Sequence, residues 1–540
     1  MNRGRRWVFV LAVFALAVGI GTAAPVDTEP AEPPATLDVL TDPPPLGLDD
    51  CAAEPPDDFE PPEEDVLGWH DGYWYNQPID VDTDGGLTED ELDAVVARSM
   101  ARWEALRCLP FEDTVSVEVI DRETFQAEHT GANVSAETRL FENARALSLF
   151  MAGHDEDAVA LREANRGETV GGFYDIGEGK IVLVSGEDGE IHVNEPILGH
   201  ELGHALQDQH FGLEGYAGAT TDDHNANLGI VEGDVVFTDT VYEGHCRAGA
   251  WAGDCVMPPT EREPPDLASI GLYLIAIQPY SDGPNFAATL YEAGGWEAVN
   301  AVYDEYPPSS KAVMYPELYP DFDPDHPPLD DTSTDEWTRL ERSSGIDYDH
   351  LGEPVLFASL IAPGMGDLLA DSVIDPLSLF NEGPDGQLDP LNPYNYTHEY
   401  TSGWVGDRFV AYAEAGVDPD DDPQLAYTLD VAFEDEAGAA AFHDAWVQQL
   451  ELHGAIAGDG ADVYTINASG SFDGAYYVDQ TGDTVSVVHA PTVEDLGSVE
   501  AALRDEEEDP AGADRIPGYT VTIAVIGLFG TVAVIAWRRR

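Results

Sequence analysis

The sequence predicts an α+β protein: a mostly helical domain carrying a small mixed sheet, followed by a small α+β domain. Three observations carry this prediction. Helix is expected over 89–106 and dominates from 196 to about 303. Gly171, Gly172, Phe173 and Tyr174, followed by the run 180–184 (Lys-Ile-Val-Leu-Val), read as a β-hairpin, and Val115, Val117 and Val119 alternate as a strand does. Beyond 394 the pattern becomes strand, one helix over 434–452, then strands over 463–466, 475–478 and 484–488.

At 540 residues the chain has room for two or three domains. Residues 1–24 read as an export signal, and 25–68 as an acidic, Pro-rich stalk with no core of its own. Residues 69–330 form the expected first domain. A helical and Pro-rich connector (331–393) leads to the C-terminal α+β domain (394–503). An acidic linker (504–516) and a terminal apolar segment (517–540) follow. No internal repeat is present.

Asp and Glu total 105 against 23 Lys and Arg, a formal charge of −82. Nucleic acid and anionic membrane surfaces would repel such a chain, so neither is an expected partner. Disorder does not fit, because 43% of residues are hydrophobic and aromatic residues recur throughout. The composition fits a folded, halophilic protein, in which screening over about 3 Å at 1 M salt quiets the repulsion between carboxylates. Lys180 and Lys311 are the only lysines.

Both ends carry topogenic signals. Arg3, Arg5 and Arg6 precede an apolar run at 7–20 and small residues at 21–24, which implies export machinery as a partner. The Arg5-Arg6 pair admits a twin-arginine route. Residues 519–537 are long and apolar enough to span a bilayer, and Arg538, Arg539 and Arg540 should stay inside. The bulk of the chain is then outside the cell, anchored through its C-terminus. Four cysteines suit that setting. Cys246 and Cys255 can close a small loop, which leaves Cys51 with Cys108, although three connectivities are open to sequence alone.

The chemistry lies at 200–204, His-Glu-Leu-Gly-His. Two histidines four apart on a helix turn their imidazoles the same way and reach one metal ion, Zn2+ by ligand type. Glu201 between them is placed as a general base, taking a proton from the attacking water. Ile197, Leu198, Leu202, Ala205 and Leu206 supply an apolar face behind the histidines, and Pro196 suits the helix start.

Two residues compete as third ligand. His210 has the spacing of the extended HExxHxxGxxH pattern, but that pattern needs a glycine to turn the chain, and the residue here is Gln207. Glu232 stands on a second amphipathic helix with Asn225 and Gly229 on its face, where small residues would let it approach the first helix. A carboxylate among apolar residues is costly to bury without a cation, and Glu232 is favoured.

The stretches 200–211 and 228–234 (Leu-Gly-Ile-Val-Glu-Gly-Asp) resemble a gluzincin-type group of bacterial and archaeal metallopeptidase-like proteins. So do Gly294 to Asn300, Tyr315 to Tyr319 and Gly403 to Arg408, and the likeness covers most of 70–500. With the acidic composition and both termini, the chain is similar to a family of haloarchaeal surface proteins. The resemblance implies a zincin-like fold for the first domain, Glu232 as third ligand and Glu201 as catalytic base. Where the family carries His before Pro316, this chain has Tyr315, whose phenol is a candidate donor to a substrate carbonyl. The C-terminus resembles an archaeosortase signal, which would exchange the span for a lipid anchor.

Asp80, Asp82, Asp84 and Glu91 match the spacing of a Ca2+ loop, and Thr88 with Glu91 equally matches a helix capping box. His245 is a candidate for the cleft border, and Asp208 a candidate to orient an imidazole. Two functions are open. One is a peptidase acting on a peptide or protein substrate, with the 180–184 strand as an edge that holds the substrate extended. The other is a surface structural or adhesive protein with a silent zinc site. Glu201 separates them, since a structural site has no use for a base.

Overall fold

The computed structural model describes the backbone of residues 10–14, and residues 51–503 apart from 82–85, 131–133, 186–190, 258–264, 343, 366–371, 384–385, 459–461 and 468–469. The rest of the stretch read as an export signal, most of that read as a stalk, and the stretches read as an acidic linker and a terminal span fall outside the described residues. Among the described residues no helix is long and apolar enough to cross a membrane.

The first sheet is four-stranded and mixed. It uses β1 (Val10–Phe14), while β2 (Trp69–His70) and β3 (Tyr73–Trp74) make a separate hairpin. α1 (Glu89–Arg107) opens on a capping box, in which Thr88 Oγ1 accepts from the Glu91 amide and Glu91 accepts from the Thr88 amide. Asp82 and Asp84 of the expected Ca2+ loop lie outside the described residues. There follow β4 (Ser116–Asp121), α2 (Arg122–Glu128), α3 (Ala136–Ser148), α4 (Ala158–Thr169), β5 (Val170–Asp175) and β6 (Lys180–Ser185). The sheet order is β1-β5-β6-β4, with β6 antiparallel to β5 and parallel to β4. The hairpin is therefore present, but its 180–184 strand is no edge. β4 fills the side that the sequence left open, because parallel pairing of residues 64 apart, Ser116 with Lys180 onward, has no local signal.

Three long helices dominate the next stretch: α5 (Glu195–Phe211), α6 (Thr221–Ala248) and α7 (Ile270–Ala301), the last broken at Gly294 and Gly295. α6 and α7 cross at glycines. A Cβ on Gly233 would lie 2.3 Å from the Gly283 carbonyl oxygen, and one on Gly283 would lie 2.3 Å from that of Gly229. The small residues of α6 thus serve its approach to α7, not to α5 as expected; the side of Gly229 meets Val313 in α8 (Ser310–Met314).

The second sheet has seven antiparallel strands, built from β7 (Trp337–Arg339), β8 (Trp404–Glu414), β9 (Leu425–Phe433), β10 (Ile456–Ala457), β11 (Val463–Ile466), β12 (Gly474–Thr481) and β13 (Thr484–Ala490). Its order is β10-β11-β12-β13-β9-β8-β7. α10 (Glu436–Leu452) covers it, and α11 (Val493–Val499) follows β13. The edge strand β7 and the apolar α9 (Glu353–Met365) come from the stretch read as a connector, which is thus part of the folded body. One core runs through Phe141 of α3, Leu274 of α7, Leu356 of α9, Phe409 of β8 and Trp446 of α10.

The disulfides are Cys51–Cys108 and Cys246–Cys255. Residues 51–68, read from composition as stalk, are held to the body. Besides the Cys51 bridge, the Gly68 amide donates to Glu104 and the Trp74 indole donates to the Glu60 carbonyl.

Candidate metal centre

α5 starts at a buried anchor. Glu195 is fully buried and ion-paired with Arg98 (3.0 Å) and Arg102 of α1, and it accepts from the Tyr242 hydroxyl of α6 at 2.8 Å. This network fixes α5 against α1 and α6, so that the turn carrying His200, Glu201 and His204 faces Glu232. All four side chains are buried.

His200, His204 and Glu232 come together as a group able to hold a metal ion. His200 Nε2 and His204 Nε2 are 3.0 Å apart, and Glu232 Oε2 lies 3.3 and 3.2 Å from them. A tetrahedral zinc with bonds near 2.0–2.1 Å has ligand-to-ligand edges of about 3.3–3.4 Å. The separations of the three atoms are close to those edges, so they could hold a metal ion between them.

Their other atoms are committed elsewhere. His200 Nδ1 lies 2.7 Å from Asp239 Oδ2, and His204 Nδ1 lies 3.0 Å from Gln207 Oε1. With Nδ1 of each ring turned to its own acceptor, Nε2 is the atom each ring would offer to a metal at the centre of the triangle. The Tyr280 hydroxyl of α7 donates to Glu232 Oε1 at 2.8 Å, which leaves Oε2 for the metal side. Burial and then the carboxylates of Glu232 and Glu201 push the Tyr280 phenol well above its usual pKa, so it stays a donor. Burial opposes charge on His200, yet the Asp239 and Glu232 carboxylates raise its pKa; burial opposes charge on Glu232, yet the two histidines lower its pKa. The pocket is built to favour a cation.

Gln207 has a role beyond denying His210 a turn. Its amide nitrogen donates to the Val231 carbonyl at 2.9 Å and the Tyr303 hydroxyl at 2.6 Å, so its oxygen is aimed at His204. His210 points away and bonds the Pro110 carbonyl at 2.7 Å.

The other expected residues lie elsewhere. Asp208 accepts from the Tyr174 hydroxyl (2.9 Å) and the Leu213 amide (2.8 Å), so the imidazoles are oriented by Asp239 and Gln207 instead. His245 packs edge-on against Trp251 at 5.0 Å. Thirteen positions along one helix from Glu232 amount to about 20 Å, too far to border the site. Tyr315 donates to Glu353 at 2.9 Å and lies 3.2 Å from the Thr397 hydroxyl; the tyrosine that touches a ligand is Tyr280. Asp239 was readable from sequence, since it follows Glu232 by seven residues on the same helical face. Tyr280, 48 residues on, had no such signal.

A family model described as "Domain of unknown function (DUF8575)" matches residues 338–500, a stretch that takes in α9 and most of the second sheet but none of the metal ligands. No curated protein and no solved structure matches the chain.

Proposed function

We propose that the chain is a zinc-dependent peptidase of gluzincin type, exported and anchored at the cell surface. The observation that carries this reading is the buried triangle of His200, His204 and Glu232 with Glu201 one residue from the first histidine. Two imidazoles and one carboxylate are the donor set of catalytic rather than structural zinc sites, which close all four positions with protein. Zinc held there would supply Lewis acidity, polarising a scissile carbonyl and making water easier to deprotonate.

The chain's own residues do the rest. Glu201 accepts the proton of the attacking water and returns it to the leaving amine. Tyr280, Asp239 and Gln207 hold the ligands in register. Gly172 lets β5 lie close to α5, since a Cβ there would meet Leu183 at 3.1 Å and Ile197 at 3.2 Å. An extended peptide pairs with β5 along the edge that Val10–Phe14 takes in the full chain and leaves when the export signal is removed. Both disulfides fit an oxidising, extracellular setting.

Glu201→Gln tests the reading: the variant keeps zinc at the wild-type level and loses peptide cleavage by 10² or more. A variant that cleaves like wild type removes Glu201 from the mechanism. A wild-type protein that holds zinc and cleaves no peptide library favours the silent structural reading.

A further inference from the structure

A cavity of about 510 Å³ opens beside the metal centre, with Glu232 and Tyr280 in its wall. Four of the chain's 23 basic residues line it: Arg145, Arg162, Arg166 and Arg342. In a chain of charge −82 that concentration of cations beside one site is itself informative.

Three of the four are partly neutralised. Arg145 pairs with Glu142 and Asp349, Arg342 with Asp349, and Arg162 with Glu142 at 2.6 Å. Three guanidinium groups thus share two carboxylates. Arg166 makes no ion pair among the described residues. Its Nη2 is buried without a hydrogen-bond partner, and its guanidinium carbon lies 5.8 Å from the Phe125 ring centre. A buried guanidinium nitrogen lacking an acceptor is costly unless something supplies one. The neighbouring His224 reports the same positive field. Burial, and then Arg342, Arg145 and Arg162, lower its pKa to about 4.

We propose that this cavity is a substrate subsite for a peptide carboxylate, with Arg166 as its main partner and Arg162 as its second. The proposal rests on the peptidase reading above and names the substrate class for it. A carboxylate offers two coplanar acceptors that match the guanidinium fork, and in a buried site salt screens the pair poorly. The carboxylate can come from a peptide C-terminus or from an Asp or Glu side chain. Tyr280 and Glu232 are part of the cavity wall, so a peptide seated there lies beside the metal centre.

The test uses the zinc-loaded full chain carrying Glu201→Gln, so that bound peptides are not consumed. Calorimetry in molar KCl compares N-acetyl-tetraalanine, its C-terminal amide, and the same amide with one alanine replaced by glutamate. One of the two carboxylate peptides should bind at least tenfold more tightly than the neutral amide, and which one does so identifies the source. Adding Arg166→Gln should abolish that preference at unchanged zinc content and melting temperature. Should that variant fold poorly, Arg166→Lys, which keeps charge and loses the fork, should give an intermediate preference. Equal binding of all three peptides, no binding of any, or a preference that survives Arg166→Gln overturns the proposal. Cleavage by the wild-type enzyme separates the two claims. Turnover without carboxylate preference removes the subsite alone, and carboxylate preference without turnover removes the peptidase reading alone.

Discussion

Replacing Asp239 perturbs the metal centre without touching a ligand. Its carboxylate lies 2.7 Å from His200 Nδ1, and both side chains are largely shielded from solvent. The bond fixes the tautomer that presents Nε2 to the metal, and its charge raises the basicity of the ring. Loss of such a partner typically costs 10–100-fold in metal affinity, about 1.4–2.7 kcal/mol. Asp239→Ala should fall in that range. Asp239→Asn keeps an acceptor and loses the charge, and should fall nearer the lower end. Gln207→Ala is the control on the other histidine, where the bond is neutral and 3.0 Å long, so a smaller loss is expected there. Zinc affinity measured by chelator competition in molar salt orders the three variants, and melting curves of the metal-free proteins show whether folding itself has changed. Wild-type affinity in Asp239→Ala would refute the claim that Asp239 orients His200.

Gly233→Ala drives a methyl group to 2.3 Å from the Gly283 carbonyl oxygen; overpacking of this kind costs about 1–3 kcal/mol, and a fall in melting temperature checks it. Burial pushes the Asp282 carboxyl up to about 7 against hydrogen bonds from Gln278 and Asn392. The native state then keeps a proton that the unfolded chain releases near pH 4. This stabilisation is complete below about pH 4 and is lost as pH rises to about 7, with a slope of up to about 1.4 kcal/mol per unit. Asp282→Asn should flatten that slope in unfolding titrations run at fixed salt, and an unchanged slope would contradict the assignment. Lowering salt from 1 M to 0.01 M extends the repulsion between carboxylates from about 3 Å to about 30 Å, and should unfold the protein. A melting temperature flat across that range would count against halophily.

The local features of the site were legible in the sequence, and the tertiary ones were not. The His-Glu-Leu-Gly-His helix and the preference for Glu232 over His210 followed from helical geometry, from Gln207, and from the cost of burying an unpaired carboxylate. The short spacing of Cys246 and Cys255 suggested one of three possible cysteine pairings, and the structure has that one. The partner of Glu232 did not, because Tyr280 reaches it only through the glycine crossing of α6 and α7. For the same reason Asp208 looked suitable, one turn past His204, until Tyr174 and the Leu213 amide took its oxygens. The 180–184 strand was correct as a strand and wrong as an edge, since pairing with β4 is set by the fold of the whole domain. The arginines around the cavity come from three separated segments (Arg145 of α3, Arg162 and Arg166 one turn apart on α4, and Arg342), and only the tertiary fold gathers them.

The central claim is that His200, His204 and Glu232 together hold zinc. Metal content of wild type, Glu232→Ala and His210→Ala, dialysed side by side in molar salt, tests it directly. Wild type and His210→Ala should each retain about one zinc per chain, because His210 bonds the Pro110 carbonyl and faces away from the site. Glu232→Ala should lose most of its metal, having given up one of three ligands and its balancing charge. Zinc retained in Glu232→Ala and lost from His210→Ala would contradict the account and leave the three-histidine arrangement in its place.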